Sequence, residues 1–306
     1  MPVWWRSLDL AGYDAVVTSS HAAVNSVRAG SAAHVSYCYT PMRYAWNWRA
    51  ELGRVPALLR PFWPAAASVL RRGDRRRAEN VDLFVADSRN VARRILAFYG
   101  KRALVVYPPV NTDFFTPDAS VGREDFYLVA GRFVAYKRSA MVLHAARRAG
   151  VRLIVAGSGP ELDSLKKISG PLVEFCPQPT NDELRDLYRR SRAVVFAGVE
   201  DFGMVLVEAQ ACGSPVIAFG EGGALESVQD GVTGVLYDNA TVEALADVLG
   251  SFDPANYDGA RIRSNAERFA PSRFDAEIRD IVRRVAESSK ANRSQVVSEL
   301  LADRGA

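Results

Sequence analysis

The chain has 306 residues, about twice a usual domain length, so two domains are expected. Apolar residues make up 48% and charged residues 24%, a balance that excludes a disordered chain. The net charge is only +4, but residues 1–110 carry 16 basic and 7 acidic side chains (+9) and the remaining 196 carry 23 and 28 (−5).

In the front half, strand-like runs fall at 15–18, 34–36, 83–86 and 104–106, and helices are expected at 22–28, 57–72 and 91–99. Four strands make a thin sheet. Pro108-Pro109 continues neither element and reads as the linker. That division predicts domains over 1–109 and 110–285 and a helical tail over 286–306. From Asp125 onward, apolar runs at 126–130, 152–156, 173–175, 193–197, 215–218 and 234–236 alternate with helical segments at 141–149, 162–167, 180–190 and 205–211. Thr180-Asn181-Asp182-Glu183 has the form of a capping box and opens one of them. Apolar strands separated by helices imply a parallel sheet covered on both faces, a doubly wound α/β architecture. The stretch 260–302 reads as mostly helical.

Cys38, Cys176 and Cys212 lie far apart, which excludes a disulfide framework and a clustered zinc site. A reducing cytoplasm is the natural compartment. No run of 18 apolar residues is free of charge, and Met1-Pro2-Val3-Trp4-Trp5-Arg6 lacks the build of a signal peptide.

The densest chemical signal is Glu200-Asp201-Phe202-Gly203-Met204-Val205-Leu206-Val207-Glu208, directly after a predicted strand. Open α/β sheets bind ligands at that edge. Gly203 permits a tight turn, and the N–H groups of the helix starting near Met204 suit a phosphate. Glu200 would face what binds there, and Glu208, one turn in, suits a pair of vicinal hydroxyls. On spacing alone, a helix with two surface glutamates is an equal alternative. Gly131-Arg132-Phe133-Val134-Ala135-Tyr136-Lys137-Arg138 follows another strand of the same domain, so Arg132 and Lys137 are candidates to clamp a diphosphate. The alternative is a solvated basic loop. Gly220-Glu221-Gly222-Gly223 with Glu226 is a weaker glycine turn.

These elements, with Gly157-Ser158-Gly159-Pro160, occur in an order that resembles retaining GT-B glycosyltransferases of family four over about residues 126–285. The resemblance implies two Rossmann-like domains facing a cleft and a nucleotide-sugar donor site in the second. In it Arg132 and Lys137 hold the diphosphate, Glu200 orients the donor sugar and Glu208 binds the ribose. Gly131, Gly157, Phe202, Gly203, Met204 and Val205 contact the donor, and Phe175–Pro179 borders the base. The front half, with Tyr13 to His21 and Tyr37 to Trp46, resembles bacterial mannosyltransferase-like members. GDP-mannose is therefore the expected donor, with UDP-sugars open, and a glycan or lipid-linked molecule the expected acceptor. His21 is expected to face the donor sugar. Arg43 and Tyr39 are acceptor-side candidates, Tyr39 standing where many relatives carry His. Against this family the N-terminal domain reads as shortened, so a catalytically silent donor-binding fragment or subunit that needs a partner remains an alternative. No metal and no cofactor is expected. Basic residues beside Trp4-Trp5, Leu58-Leu59 and Phe62-Trp63 suit an anionic membrane face, and no nucleic-acid module accompanies the charge.

Overall fold

The computed structural model describes residues 4–5, 7–20, 23–48 and 55–304. The chain divides into two compact units, Met1–Tyr107 with Phe274–Ala306, and Pro108–Arg273.

The first unit is built on four parallel strands, β1 (Ala15–Ser20), β2 (Ala33–Cys38), β3 (Leu83–Ala86) and β4 (Ala103–Val105), in sequence order across the sheet. Val35 lies opposite Leu83, and Val85 opposite Leu104. Every residue of β2 and β3 is buried, as expected of strands covered on both faces. One face packs against Ile281, Val285 and Leu300, with Phe274 and Ile278 at its margin. The other carries Phe84 and Ala86 against Ala78, Val91 and Ile95. His34, inside β2, is a satisfied core histidine: its ring nitrogens reach Thr18 Oγ1 at 3.0 Å and the Asn80 carbonyl at 3.1 Å. Burial pulls its ionisation below the usual range, so the ring is neutral.

This packing corrects the expected domain limits. Residues 274–306 belong with the front sheet, not with a domain over 110–285 or a separate tail. The physical reason is the bare face of a four-stranded sheet, which the apolar stripes of helices Pro271–Ala286 and Arg293–Asp303 cover. Amphipathic periodicity shows that a helix must cover something, but not which sheet. Arg293 ties the last helix down. Although only 7% exposed, it donates to the carbonyls of Ala32 (3.2 Å) and Ser31 (3.0 Å) and pairs with Asp82 at 3.3 Å.

Two front-half helices also differ. The segment expected over 22–28 holds a 3-10 turn at Ala23–Ser26. The segment expected over 57–72 begins as a 3-10 helix, Ala57–Phe62, containing Pro61, and becomes α-helical at Trp63–Ala78. Pro64 sits in the first turn of that helix, where its missing N–H costs nothing.

The second unit has six parallel strands, β5 (Tyr127–Arg132), β6 (Leu153–Ser158), β7 (Val173–Cys176), β8 (Ala193–Phe196), β9 (Val216–Phe219) and β10 (Gly234–Tyr237). Their order across the sheet is β10-β9-β8-β5-β6-β7. The chain winds one way from β5 to β7 and the other way from β8 to β10, so the direction reverses between β5 and β8. Ligands of doubly wound sheets bind at the carboxyl ends of strands flanking such a reversal. The core joins Tyr127, Val129, Val155, Val195 and Ile217 to Val142, Leu143, Leu245 and Leu249 from the covering helices. The capping box forms as the sequence predicts: Thr180 Oγ1 accepts from the Glu183 amide at 3.2 Å, and Glu183 accepts from the Thr180 amide at 2.7 Å.

Arg293→Ala is expected to destabilise the first unit by about 2 kcal/mol, because Asp82 loses its charged partner and the Ala32 and Ser31 carbonyls lose their donor. Thermal unfolding and hydrogen exchange over 293–303 measure this, and an unchanged melting temperature with unchanged protection would refute it.

Candidate functional site

The carboxyl ends of β5 and β8, on either side of the reversal, carry the chemistry. β5 ends at Gly131-Arg132 and runs into a 3-10 turn, Ala135–Lys137. That turn brings Lys137 Nζ and Val205 Cγ2 each within 3.6 Å of where a Cβ on Gly131 would lie. Past β8, Glu200 pairs with Lys137 at 2.8 Å, with side chains 13% and 21% exposed. The two sequence candidates, read separately as a phosphate clamp and a sugar ligand, therefore neutralise each other. Neighbouring loops fix the pair. A Cβ on Gly198 would lie 2.7 Å from Lys137 Cα, so these backbones touch only because position 198 is glycine. From β9, the Gly223 amide donates to the Glu200 carbonyl at 2.9 Å.

Gly203 adopts φ 90° and ψ 60°, a region glycine enters at little cost, and starts the helix Met204–Ala211. No side chain caps that helix, so the first-turn amides of Met204 and Val205 have no intrahelical acceptor. Together with the helix dipole they favour an anion. Glu208 projects from the same helix. Its Oε2 accepts from the Tyr188 hydroxyl at 3.0 Å. Burial pushes its carboxyl above the usual range, while the Tyr188 hydrogen bond and the Lys137 charge pull it down.

The structure thus brings together Gly131, Lys137, Glu200, Gly203, Met204, Val205 and Glu208. Arg132, the last residue of β5, is exposed and makes no ion pair among the described residues. Two further candidates have packing roles of their own. The Phe202 ring is 3% exposed and packs edge-on against Phe269 at 5.2 Å, so it belongs to the core. Gly157 serves packing: a Cβ there would strike the Gly131 carbonyl, so this glycine lets β6 lie against β5. The glycine turn after β9 likewise makes its close approach to protein backbone, at the Glu200 carbonyl and Phe202.

In the first unit, Tyr39 follows β2, is 42% exposed and accepts from Ser19 Oγ at 3.0 Å. Arg43 opens the one-turn helix Arg43–Trp46 and is half-buried. His21 lies outside the described residues. Among the described residues no group of three His, Cys, Asp or Glu side chains is placed to hold a metal ion, and no helix is long and apolar enough to cross a membrane. Sequence reasoning missed Tyr188. Beside Leu187 on the apolar stripe of an amphipathic helix it reads as core, and only the fold shows that its hydroxyl meets Glu208.

Residues 111–267, half of the chain, match the family model Glycosyl transferases group 1. The chain belongs to that family. Among curated relatives, D-inositol 3-phosphate glycosyltransferase of Mycobacterium tuberculosis is 34% identical over 201 residues, covering 58% of this chain and 42% of that protein. The chain thus spans less than half the length of this relative. Sucrose-phosphate synthase from Thermosynechococcus elongatus superposes with a TM-score of 0.70 at 20% identity, over 89% of this chain and 73% of that one. Anabaena HepE, solved in complex with UDP-glucose, gives a TM-score of 0.63 at 20% identity, over 81% and 78%. These likenesses show the fold, and with its two parallel α/β sheets of four and six strands the group 1 chain shares the GT-B class of its neighbours.

Since Glu200 occupies the Lys137 ammonium, Glu200→Gln is expected to bind inorganic pyrophosphate roughly fivefold tighter, on the order of 1 kcal/mol for removing one nearby negative charge. Lys137→Ala is expected to bind it about tenfold more weakly. Calorimetry at low salt reads both, and unchanged or weaker binding by Glu200→Gln would show that the pair does not gate the anion.

Proposed function

We propose that the chain transfers a hexose from a nucleotide sugar to a hydroxyl acceptor, retaining anomeric configuration and using no metal. One observation carries this reading: a cation, a carboxylate and an uncapped helix N-terminus converge at the carboxyl ends of β5 and β8, where the winding reverses. A bound diphosphate takes Lys137, Arg132 and the amides of Met204 and Val205. Glu200, released from Lys137, accepts from hydroxyls of the donor sugar, and Glu208 accepts from the ribose. The acceptor hydroxyl attacks the anomeric carbon on the face that the diphosphate leaves, and the departing phosphate oxygen takes its proton. Negative charge growing on the leaving group is met by dipoles and cations already in place, and losing one such contact costs ~3 kcal/mol, roughly a hundredfold in rate. Glu200 is an orienting group here rather than a nucleophile.

GDP-mannose is the donor favoured by the mannosyltransferase-like front motifs, and a glycan or lipid-linked molecule the acceptor. A UDP-sugar is the second donor reading, supported by the UDP-glucose complex of HepE. The name of the mycobacterial relative adds a phosphorylated cyclitol as a second acceptor class. Because the chain spans 42% of that relative, a donor-binding subunit without transfer activity is the alternative to the whole enzyme.

Calorimetry with GDP, UDP and ADP is expected to show one of them binding below millimolar concentration, and binding by none would end the donor-site reading. Proton NMR of the product should show the donor's anomeric configuration. An inverted product would exclude the retaining mechanism, and a trapped glycosyl-Glu200 would make that residue the nucleophile.

We place the protein at the inner face of the cell membrane. In the first unit Leu58 (87% exposed), Leu59, Phe62 and Val69 face solvent along the segment that carries Arg60, Arg71, Arg72, Arg75 and Arg76. Apolar side chains flanked by cations suit an anionic lipid surface. The protein is expected to float with anionic liposomes, less so as Leu58→Ser/Phe62→Ser, and equal flotation with neutral liposomes would remove the membrane assignment.

A further inference from the structure

On the donor-site reading Glu208 accepts from the ribose, but a carboxylate with two freely rotating oxygens makes a poor template for two vicinal hydroxyls. The fold supplies a group that fixes it. Tyr188, near the end of the helix Asn181–Arg190, is completely buried, and its ring meets Phe115 edge-on at 5.8 Å. Its hydroxyl donates to Glu208 Oε2 at 3.0 Å. One oxygen of Glu208 is thereby committed, which leaves the other to receive the ligand.

We propose that Tyr188 is a positioning residue for the nucleotide: by binding one oxygen of Glu208 it holds the carboxylate aimed, and so lets the site select ribose over deoxyribose nucleotides. The inference rests on the donor-site reading of Glu208. Its electrostatic side follows from the same geometry. Burial disfavours the Glu208 anion, and the two nearby groups that favour it are the Tyr188 hydroxyl and the Lys137 ammonium. The ammonium is shared with Glu200 and, on the proposed mechanism, with the diphosphate. Only the phenol remains committed to Glu208 when the donor is bound. Burial also pushes the Tyr188 hydroxyl far above its usual range, so it stays a proton donor at every working pH.

The test is a cycle of two ligands and three proteins. GDP, UDP and their 2′,3′-dideoxy counterparts are titrated into the wild type, Tyr188→Phe and Glu208→Gln. The wild type is expected to prefer the ribonucleotide about tenfold, the scale of a hydrogen bond to a charged group. Both variants should lose that preference while binding the dideoxy ligand as the wild type does. Ribonucleotide affinity of Tyr188→Phe should also rise with pH relative to the wild type, because the hydrogen bond that favours the Glu208 anion is gone. A loss of stability lowers both affinities alike and leaves their ratio alone, and Tyr188→Leu serves as a second hydroxyl-free variant if Tyr188→Phe does not fold. Tyr188→Phe with a wild-type ratio and a wild-type pH profile overturns the inference while Glu208 keeps its role. A wild type without ribose preference overturns the reading of Glu208 itself, and the inference with it.

Discussion

The reversal of winding in the six-stranded sheet is the constraint on which the site depends. With β5 and β8 as neighbours, the loops leaving their carboxyl ends turn to opposite faces, and a crevice opens between them. One lip is the Gly131–Lys137 turn and the other is Glu200 to Gly203. Residues more than sixty positions apart then meet at 2.8 Å. The end of β6 at Gly157 and the loops after β8 and β9 at Gly198 and Gly223 press against these lips, where any side chain would collide with backbone. The glycine-rich turns of this sequence therefore hold the lips together and leave the ligand contacts to charged groups and amides.

The charged groups of the site find their partners within it. Lys137 is paired with Glu200, and Glu208 is paired with a phenol that cannot ionise under working conditions. A cation left unpaired in a half-buried crevice would carry a desolvation cost with no return, and so would a second carboxylate. On the proposed function, a diphosphate would exchange one partner for another, taking Lys137 and freeing Glu200 for sugar hydroxyls. Binding the charged leaving group and ordering the sugar would then be one event, and a ligand that brings only one of the two would leave part of the exchange incomplete.

Much of this was legible in the sequence, because the informative features are local. The capping box at Thr180, the apolar strand runs and the spacing of Glu200 and Glu208 depend on residues within a few positions of one another. What the sequence did not carry is pairing. The Lys137–Glu200 contact follows from strand order, and strand order is a non-local property. Tyr188 and Leu187 look alike as apolar stripe residues until the helix is docked beside Met204–Ala211. Phe202 sits inside the most conspicuous motif and yet belongs to the core, because the turn at Gly203 points its ring inward to Phe269. The C-terminal helices were readable as helices, but their partner sheet was not.

Reassigning those helices sharpens the charge asymmetry instead of blurring it. Residues 274–306 carry six basic and six acidic side chains, so the first unit keeps +9 and the second keeps −5. The unit that holds the anion site is thus the negative one. On the proposed function, its attraction for a diphosphate would come from a few groups within contact distance rather than a broad positive field, since exposed charges beyond about 10 Å are screened at moderate salt. The excess of +9 lies instead on the unit whose segment Ala57–Ala78 interleaves arginines with exposed leucine, phenylalanine and valine. A broad field with apolar anchors suits an extended anionic surface, and a pinpoint arrangement suits one small anion. The two units divide the electrostatic tasks along the same line that divides their cores.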